Sequence, residues 1–256
     1  MKENLTMGKG HFSKIWVFSM LLPAFLALVY SILMPDISRL KKENPAKSAF
    51  MEYRERQWQE KGRKVQVRQA WVPLSRISPY LVKAVLIAED DKFWSHEGFD
   101  FDGIKQAIER DLQAGKLKFG GSTITQQLAR NVYLSPDKSF WRKIREAAIT
   151  WRMEQVLSKK RILELYLNMV EWGDGIFGAE AASRHYFEKP AAELSPREAA
   201  RLAVVLPSPR KLNPAGNQRY VESRAEAIYG IMQKRGIVLP EFETAADEPG
   251  KESSPR

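Results

Sequence analysis

Twenty consecutive residues, Ile15 to Met34, carry no charge: "IWVFSMLLPAFLALVYSILM". As a helix rising about 1.5 Å per residue this run spans roughly 30 Å, the hydrocarbon thickness of a bilayer. It is long for a signal-peptide core and has no small-x-small cleavage site, so it reads as an uncleaved transmembrane anchor. Whatever else folds must therefore do so behind a single N-terminal span. Lys2, Lys9 and Lys14 precede the span, and Arg39, Lys41, Lys42 and Lys47 follow it. Flanking charge alone leaves the orientation open.

The remaining chain divides by composition. Residues 1–14 form a short N-terminus. Residues 35–70 hold ten Lys/Arg against five acids, with little apolar periodicity, and read as a basic juxtamembrane linker. Each basic residue near anionic lipid is worth about 1 kcal/mol. Residues 71–237 form the domain, and the polar tail over 238–256 reads as disordered.

The domain reads as mainly α. Ser78-Pro79 is an N-cap followed by proline at the first helical position, opening a helix to about Glu89. A second helix runs from about Asp102 to Gly115. A third follows Ser122 as its cap, with Ile124, Leu128 and Val132 as the apolar stripe. A long helix covers about Lys138 to Leu157, with Phe140, Ile144, Ala148 and Trp151 expected to face inward. Another spans Lys159 to about Val170. "SPRE", Ser195 to Glu198, is a capping box opening a helix to Leu206, and a last helix ends at Gly236. No alternating run is long enough for a convincing strand.

Composition excludes several chemistries. There is no cysteine, so no disulfide and no thiolate metal site. His11, His96 and His185 lack zinc-cluster spacing, and no metal site is expected from them. The net charge of +10 points to an anionic partner. The anchor and the lack of a nucleic-acid motif point away from DNA or RNA.

Three stretches carry candidate chemistry. "AEDDKFWSHEGFD" places Glu89 and Asp90 at a helix C-terminus, where the macrodipole raises a carboxylate's pKa. That suits a general base, and a solvated charged helix end is an equal alternative. "GGSTITQQLARN" offers Thr123, Gln126, Gln127 and Arg130 on one helical stripe, a hydrogen-bonding face for a sugar or phosphate. "WRKIREAAITWRMEQ" puts Glu146 four residues from Arg142 and three from Lys143, for which the plain alternative is a surface ion pair. Two carboxylates among several cations suit a transferase that expels a pyrophosphate. A glycosidase would need a general acid for its alkoxide leaving group.

Taken together these motifs resemble the peptidoglycan glycosyltransferases of glycosyltransferase family 51, and most closely its monofunctional biosynthetic members from proteobacteria. "EDDKFWSHEG" (Glu89–Gly98) matches the first family motif and "GGSTITQQLARN" the second. "RKIRE" (Arg142–Glu146) is the third. "KRILELYLNMVEWGDGIFGAEAASRHYF" from Lys160 and "LSPREAARLAVVLPSPRKLNP" from Leu194 are the fourth and fifth. The five occur in order over roughly 165 residues.

The resemblance implies a lysozyme-like glycosyltransferase domain on the periplasmic side of the bacterial cytoplasmic (inner) membrane. It implies polymerisation of lipid II into linear β-1,4 glycan strands, with inversion and release of undecaprenyl pyrophosphate. Glu89 matches the family's general base for the acceptor 4-hydroxyl. Glu146 matches its second glutamate, which positions the donor or organises the pyrophosphate and any divalent ion. Asp90, Phe93 and His96 support the first motif. Ser122, Thr125, Gln126, Gln127, Arg130, Arg142 and Lys143 line the donor side. No cofactor is required, with room for Mg2+ or Mn2+ at the pyrophosphate. The implied partners are lipid II, the growing strand, membrane lipids, and cell-wall synthesis and division proteins. Many family members carry lysine at the position of Arg130. Asp91 fills a free motif position, and Tyr166, Asn168 and His185 read as packing and loop support. S-x-x-K at Ser38 and Ser208 lacks the partner boxes of a transpeptidase, and none is expected.

Overall fold

A computed structural model describes Leu21 and residues 34–115, 121–136 and 139–238. The anchor expected over 15–34 and the tail over 238–256 lie almost wholly outside the described residues. The compact unit that carries the site begins at Ile37. It is mainly helical, as the periodicity predicts.

Nine α-helices are present among the described residues: α1 (Ala49–Glu60), α2 (Pro79–Glu89), α3 (Phe101–Ala114), α4 (Ile124–Tyr133), α5 (Phe140–Val156), α6 (Lys159–Met169), α7 (Ala179–Phe187), α8 (Pro196–Val205) and α9 (Arg219–Lys234). Two groups organise the core. In one, α4 packs on α1, α5 and α6; in the other, α2, α8 and α9 pack on one another. Ile124 and Leu128 of α4 are fully buried and Val132 nearly so, as their spacing predicts. Ser195 and Glu198 form the expected capping box of α8. Ser78 stands at the N-cap of α2, but its hydroxyl donates to Leu194 O at 2.9 Å rather than capping.

Four expectations change. The segment 35–70 is not merely a linker. Ser48 caps α1, and Met51 and Trp58 on that helix are buried. Each such side chain contributes about 1.5–3 kcal/mol. Two large anchors among charges produce little periodicity, which is why the pattern reads as polar. Second, three short strands exist, β1 (Arg68–Gln69), β2 (Glu171–Gly173) and β3 (Ile176–Phe177), in the order β1-β3-β2. The β1/β3 pair is parallel, with Arg68 opposite Ile176, and β2/β3 is antiparallel, with Glu171 opposite Phe177. Runs this short carry no legible alternation. Gly178, at φ +83°, closes the hairpin onto α6, where a Cβ would lie 2.7 Å from Asn168 O.

Third, the apolar face of α5 turns outward. Phe140, Ile144 and Trp151 are exposed, as is Trp141, whereas Glu146, Ile149, Thr150 and Met153 are buried. The inward stripe is half polar, so hydrophobic periodicity selects the wrong face. Fourth, α4 is capped by Thr123 and not by Ser122. Thr123 Oγ1 accepts from Gln126 N–H while Gln126 Oε1 accepts from Thr123 N–H, a reciprocal capping box one residue later than expected.

Candidate active site

Glu89 is the last residue of α2. The helix ends there because Asp90 leaves helical backbone and spends both carboxylate oxygens across the fold. Its Oδ2 accepts from Ile124 N–H at 2.9 Å, the first turn of α4, and its Oδ1 faces His96 Nε2 at 2.8 Å. Gly98 N–H donates to His96 Nδ1 at 3.1 Å, so Nδ1 is the unprotonated nitrogen and Nε2 carries the proton toward Asp90. Phe93 is fully buried beneath this loop, and Lys159 Nζ lies 4.5 Å from its ring centroid. Gly98 sits at φ +86°, and a Cβ there would stand 2.8 Å from Thr150 Cγ2. Asp90, Phe93, His96 and Gly98 thus fix the end of α2 against α4 and α5, and with it the position of Glu89.

A chain of hydrogen bonds defines the carboxylate's orientation. Gln127 Nε2 donates to Glu89 Oε2 at 2.7 Å. The Tyr166 hydroxyl donates to Gln127 Oε1 at 3.1 Å. Tyr166 is fully buried on α6, so its hydroxyl selects which end of the amide meets Glu89. Sequence reasoning assigns Tyr166 only to packing, and no short-range signal reveals a partner 39 residues away. Asn168 does act as loop support, exchanging hydrogen bonds with the Val72 backbone at 3.0 and 2.9 Å.

Burial is the main cause that lifts the Glu89 pKa above the ordinary carboxylate value; the Gln127 hydrogen bond and the Arg130 charge pull it partly back. The pKa is raised as the sequence predicts, and desolvation is its largest cause. A solvated helix end is not what this residue is. Asp91, by contrast, pairs with Arg235 at 2.5 and 2.8 Å on the surface.

The two faces of α4 separate the stripe read from its sequence. Gln127 and Arg130 line a cavity of about 340 Å3, while Thr123 and Gln126 are occupied as the cap. Thr125 is buried and donates to Glu154 Oε1 at 2.6 Å, a carboxylate that Lys159 also contacts at 2.9 Å. Thr125 and Gln126 hold α4 in place and do not face the cavity.

Glu146 is fully buried on α5 with both oxygens engaged. Arg142 Nη1 reaches Oε2 and Lys143 Nζ reaches Oε1, each at 2.5 Å. This is not the surface pair worth a few tenths of a kcal/mol. Removing one partner of a buried pair costs about 3–5 kcal/mol. Arg142 lines the same cavity as Gln127 and Arg130. Lys143 extends the other way, 3.5 Å from Ser122 Oγ. Ser122 lines a second cavity, together with Glu89, Asp100, Gly103 and Thr123. Glu89 of this second cavity is hydrogen-bonded to Gln127 of the first.

A divalent ion held by the protein would need free carboxylate oxygens. Both oxygens of Glu146 and of Asp90 are already taken, and among the described residues no three His, Cys, Asp or Glu converge. These residues do not fit a protein-held Mg2+ or Mn2+.

The chain matches the family model described as Transglycosylase over residues 55–233. It is similar to the biosynthetic peptidoglycan transglycosylase of Nitrosospira multiformis, with 50% identity over 194 residues, 76% of this chain and 84% of the relative. The protein of that name from Azoarcus sp. is 49% identical over 219 residues, 85% of this chain and 94% of the relative. That from Aromatoleum aromaticum is 55% identical over 168 residues, 66% and 73% respectively.

Proposed function

The chain belongs to the transglycosylase family and is a peptidoglycan glycosyltransferase, and we propose that it polymerises lipid II into linear β-1,4 glycan strands with Glu89 as general base. The observation that carries this reading is the half-buried Glu89, lifted by burial and hydrogen-bonded from one cavity to Gln127 of the other. The acceptor disaccharide lies on the Ser122–Asp100 side, so Ser122, which the resemblance gives to the donor side, is read here as an acceptor-side residue. Its 4-hydroxyl gives its proton to Glu89 as its oxygen forms a bond to the donor's anomeric carbon. The carbon–oxygen bond to the pyrophosphate breaks, and undecaprenyl pyrophosphate leaves with the electron pair. Attack from the side opposite the leaving group inverts the centre.

Arg130 and Arg142 meet the charge that develops on the pyrophosphate, and Lys143, turned toward Ser122, adds its charge from the acceptor side. Glu146 acts through two of them, holding both cations in place, and is a positioning residue. Because these side chains supply the charge, polymerisation by the purified chain is expected to continue in EDTA. Loss of product in EDTA, restored only by Mg2+ or Mn2+, would contradict this.

The span Ile15–Met34 anchors the domain at the periplasmic face of the bacterial inner membrane, where a long-tailed substrate lies. The exposed Phe140, Trp141, Ile144 and Trp151 on α5 support contact with lipid. A chain begun at Ile37, which keeps the buried Ile37 and Leu40, should fold and work in detergent yet act poorly on lipid II in liposomes. Equal rates in liposomes with and without the anchor would overturn the anchor's role in substrate encounter. Larger assemblies with cell-wall synthesis and division proteins belong to the same proposal.

A further inference from the structure

The cavity that holds Gln127, Arg130 and Arg142 extends to a group of residues that the mechanism above does not use: Phe50 and Arg54 from α1, Glu171 from β2, and Pro207 and Pro209. Glu171 is only 3% exposed. Arg54 Nη2 and Nε both donate to its Oε2, at 2.8 and 3.2 Å. The guanidinium is held on its other sides, donating from Nη1 to Gln57 Oε1 at 3.0 Å and lying 4.7 Å from the Phe50 ring centroid. Glu171 lines this cavity, and its Oε1 is buried and has no hydrogen-bond partner among the described residues. A buried carboxylate oxygen without a donor is costly, and few are found. Burial also lifts the Glu171 pKa despite the two arginines near it, so a further donor would favour the charged form.

We propose that Glu171, fixed by Arg54, is a saccharide-binding residue that accepts a hydrogen bond from a sugar hydroxyl or acetamido N–H of the donor glycan. Arg54 already balances its charge, so the fitting ligand is a neutral donor group and not a cation. The rim is also suited to sugar, with Phe50 and two prolines offering apolar surface to a ring face. The position next to the cations Arg130 and Arg142 places this subsite beside the pyrophosphate of the same donor. The inference rests on the glycosyltransferase reading, and it adds a role for α1, which the sequence presents as linker.

The test uses the full chain in detergent and two probes. One is a lipid-free tetrasaccharide of alternating N-acetylglucosamine and N-acetylmuramic acid; the other is farnesyl pyrophosphate. Binding of each is measured by calorimetry for the wild type, Glu171→Gln and Arg54→Lys, with thermal melting as the folding control. Glu171→Gln is expected to bind the tetrasaccharide about tenfold more weakly, the size of one hydrogen bond to a charged group. Farnesyl pyrophosphate should bind unchanged, and the KM for lipid II should rise more than kcat falls. Arg54→Lys keeps the charge and loses the fork, so it should show a smaller loss of the same kind. It also serves as the deciding variant if Glu171→Gln does not fold. Tetrasaccharide affinity unchanged in a folded variant would overturn the proposal, and so would an equal loss for both probes. Wild-type polymerisation of lipid II, run alongside, separates failure of this subsite from failure of the catalytic reading.

Discussion

Glu89→Gln is expected to lose polymerisation by about 10²- to 10⁴-fold, roughly 3–5 kcal/mol of barrier, while keeping its fold. The amide preserves shape and a hydrogen-bonding oxygen, and it removes only the proton acceptor. Stability should rise slightly at neutral pH. Burial holds the Glu89 pKa above its unfolded value, so its effect on stability is most favourable below the unfolded pKa and is lost as pH rises through the folded one. At neutral pH the ionised side chain is therefore a cost that glutamine removes. The same shift sets the rate profile. The base works only when ionised, so the acid limb of kcat/KM should lie above the ordinary carboxylate value. Gln127→Ala deletes a hydrogen bond that lowers this pKa and should move the limb further up. Polymerisation by Glu89→Gln within a few-fold of wild type would end the general-base assignment, and an unmoved limb in Gln127→Ala would end the role given to that amide.

Glu146→Gln should behave differently, losing stability and donor binding together. The wild-type carboxylate is fully buried and shared by Arg142 and Lys143 at 2.5 Å each. An amide can accept from only one of them and brings its own N–H groups toward the other. Breaking a buried pair of this kind costs about 3–5 kcal/mol, which a thermal melt detects as a clear fall in Tm. Affinity for a pyrophosphate-bearing lipid should fall with it, because Arg142 is no longer aimed into the cavity. A variant with wild-type Tm and wild-type donor affinity would show that Glu146 does not organise these cations.

The contrast between the two glutamates was only partly legible in the sequence. Glu89 and Glu146 stand out by motif, and the helices that carry them run close to the expected ranges. Their environments were not legible. Glu89 is governed chiefly by burial, and burial depends on α4 and α6 packing around it. Glu146 reads as a surface residue because it lies among Arg142, Lys143 and exposed aromatics, yet the helix turns that polar face inward. Hydrophobic periodicity fails on α5 because the inward face is built from Glu146 and Thr150 as well as Ile149 and Met153. The capping box explains why Gln126 differs from its neighbour Gln127: one closes the helix start and the other faces the base. Tyr166 and Glu171 join the site only through tertiary contact, at sequence distances of 39 from Gln127 and 117 from Arg54. Such partners leave no local signature.

The most direct measurement is a time course of the purified full chain with lipid II, read by glycan length and by the amount of undecaprenyl pyrophosphate released. The account predicts strands that lengthen with time and one pyrophosphate released for each disaccharide joined, with neither seen for Glu89→Gln on the same time scale. Preformed strands that shorten, or product that accumulates without pyrophosphate release, would contradict it.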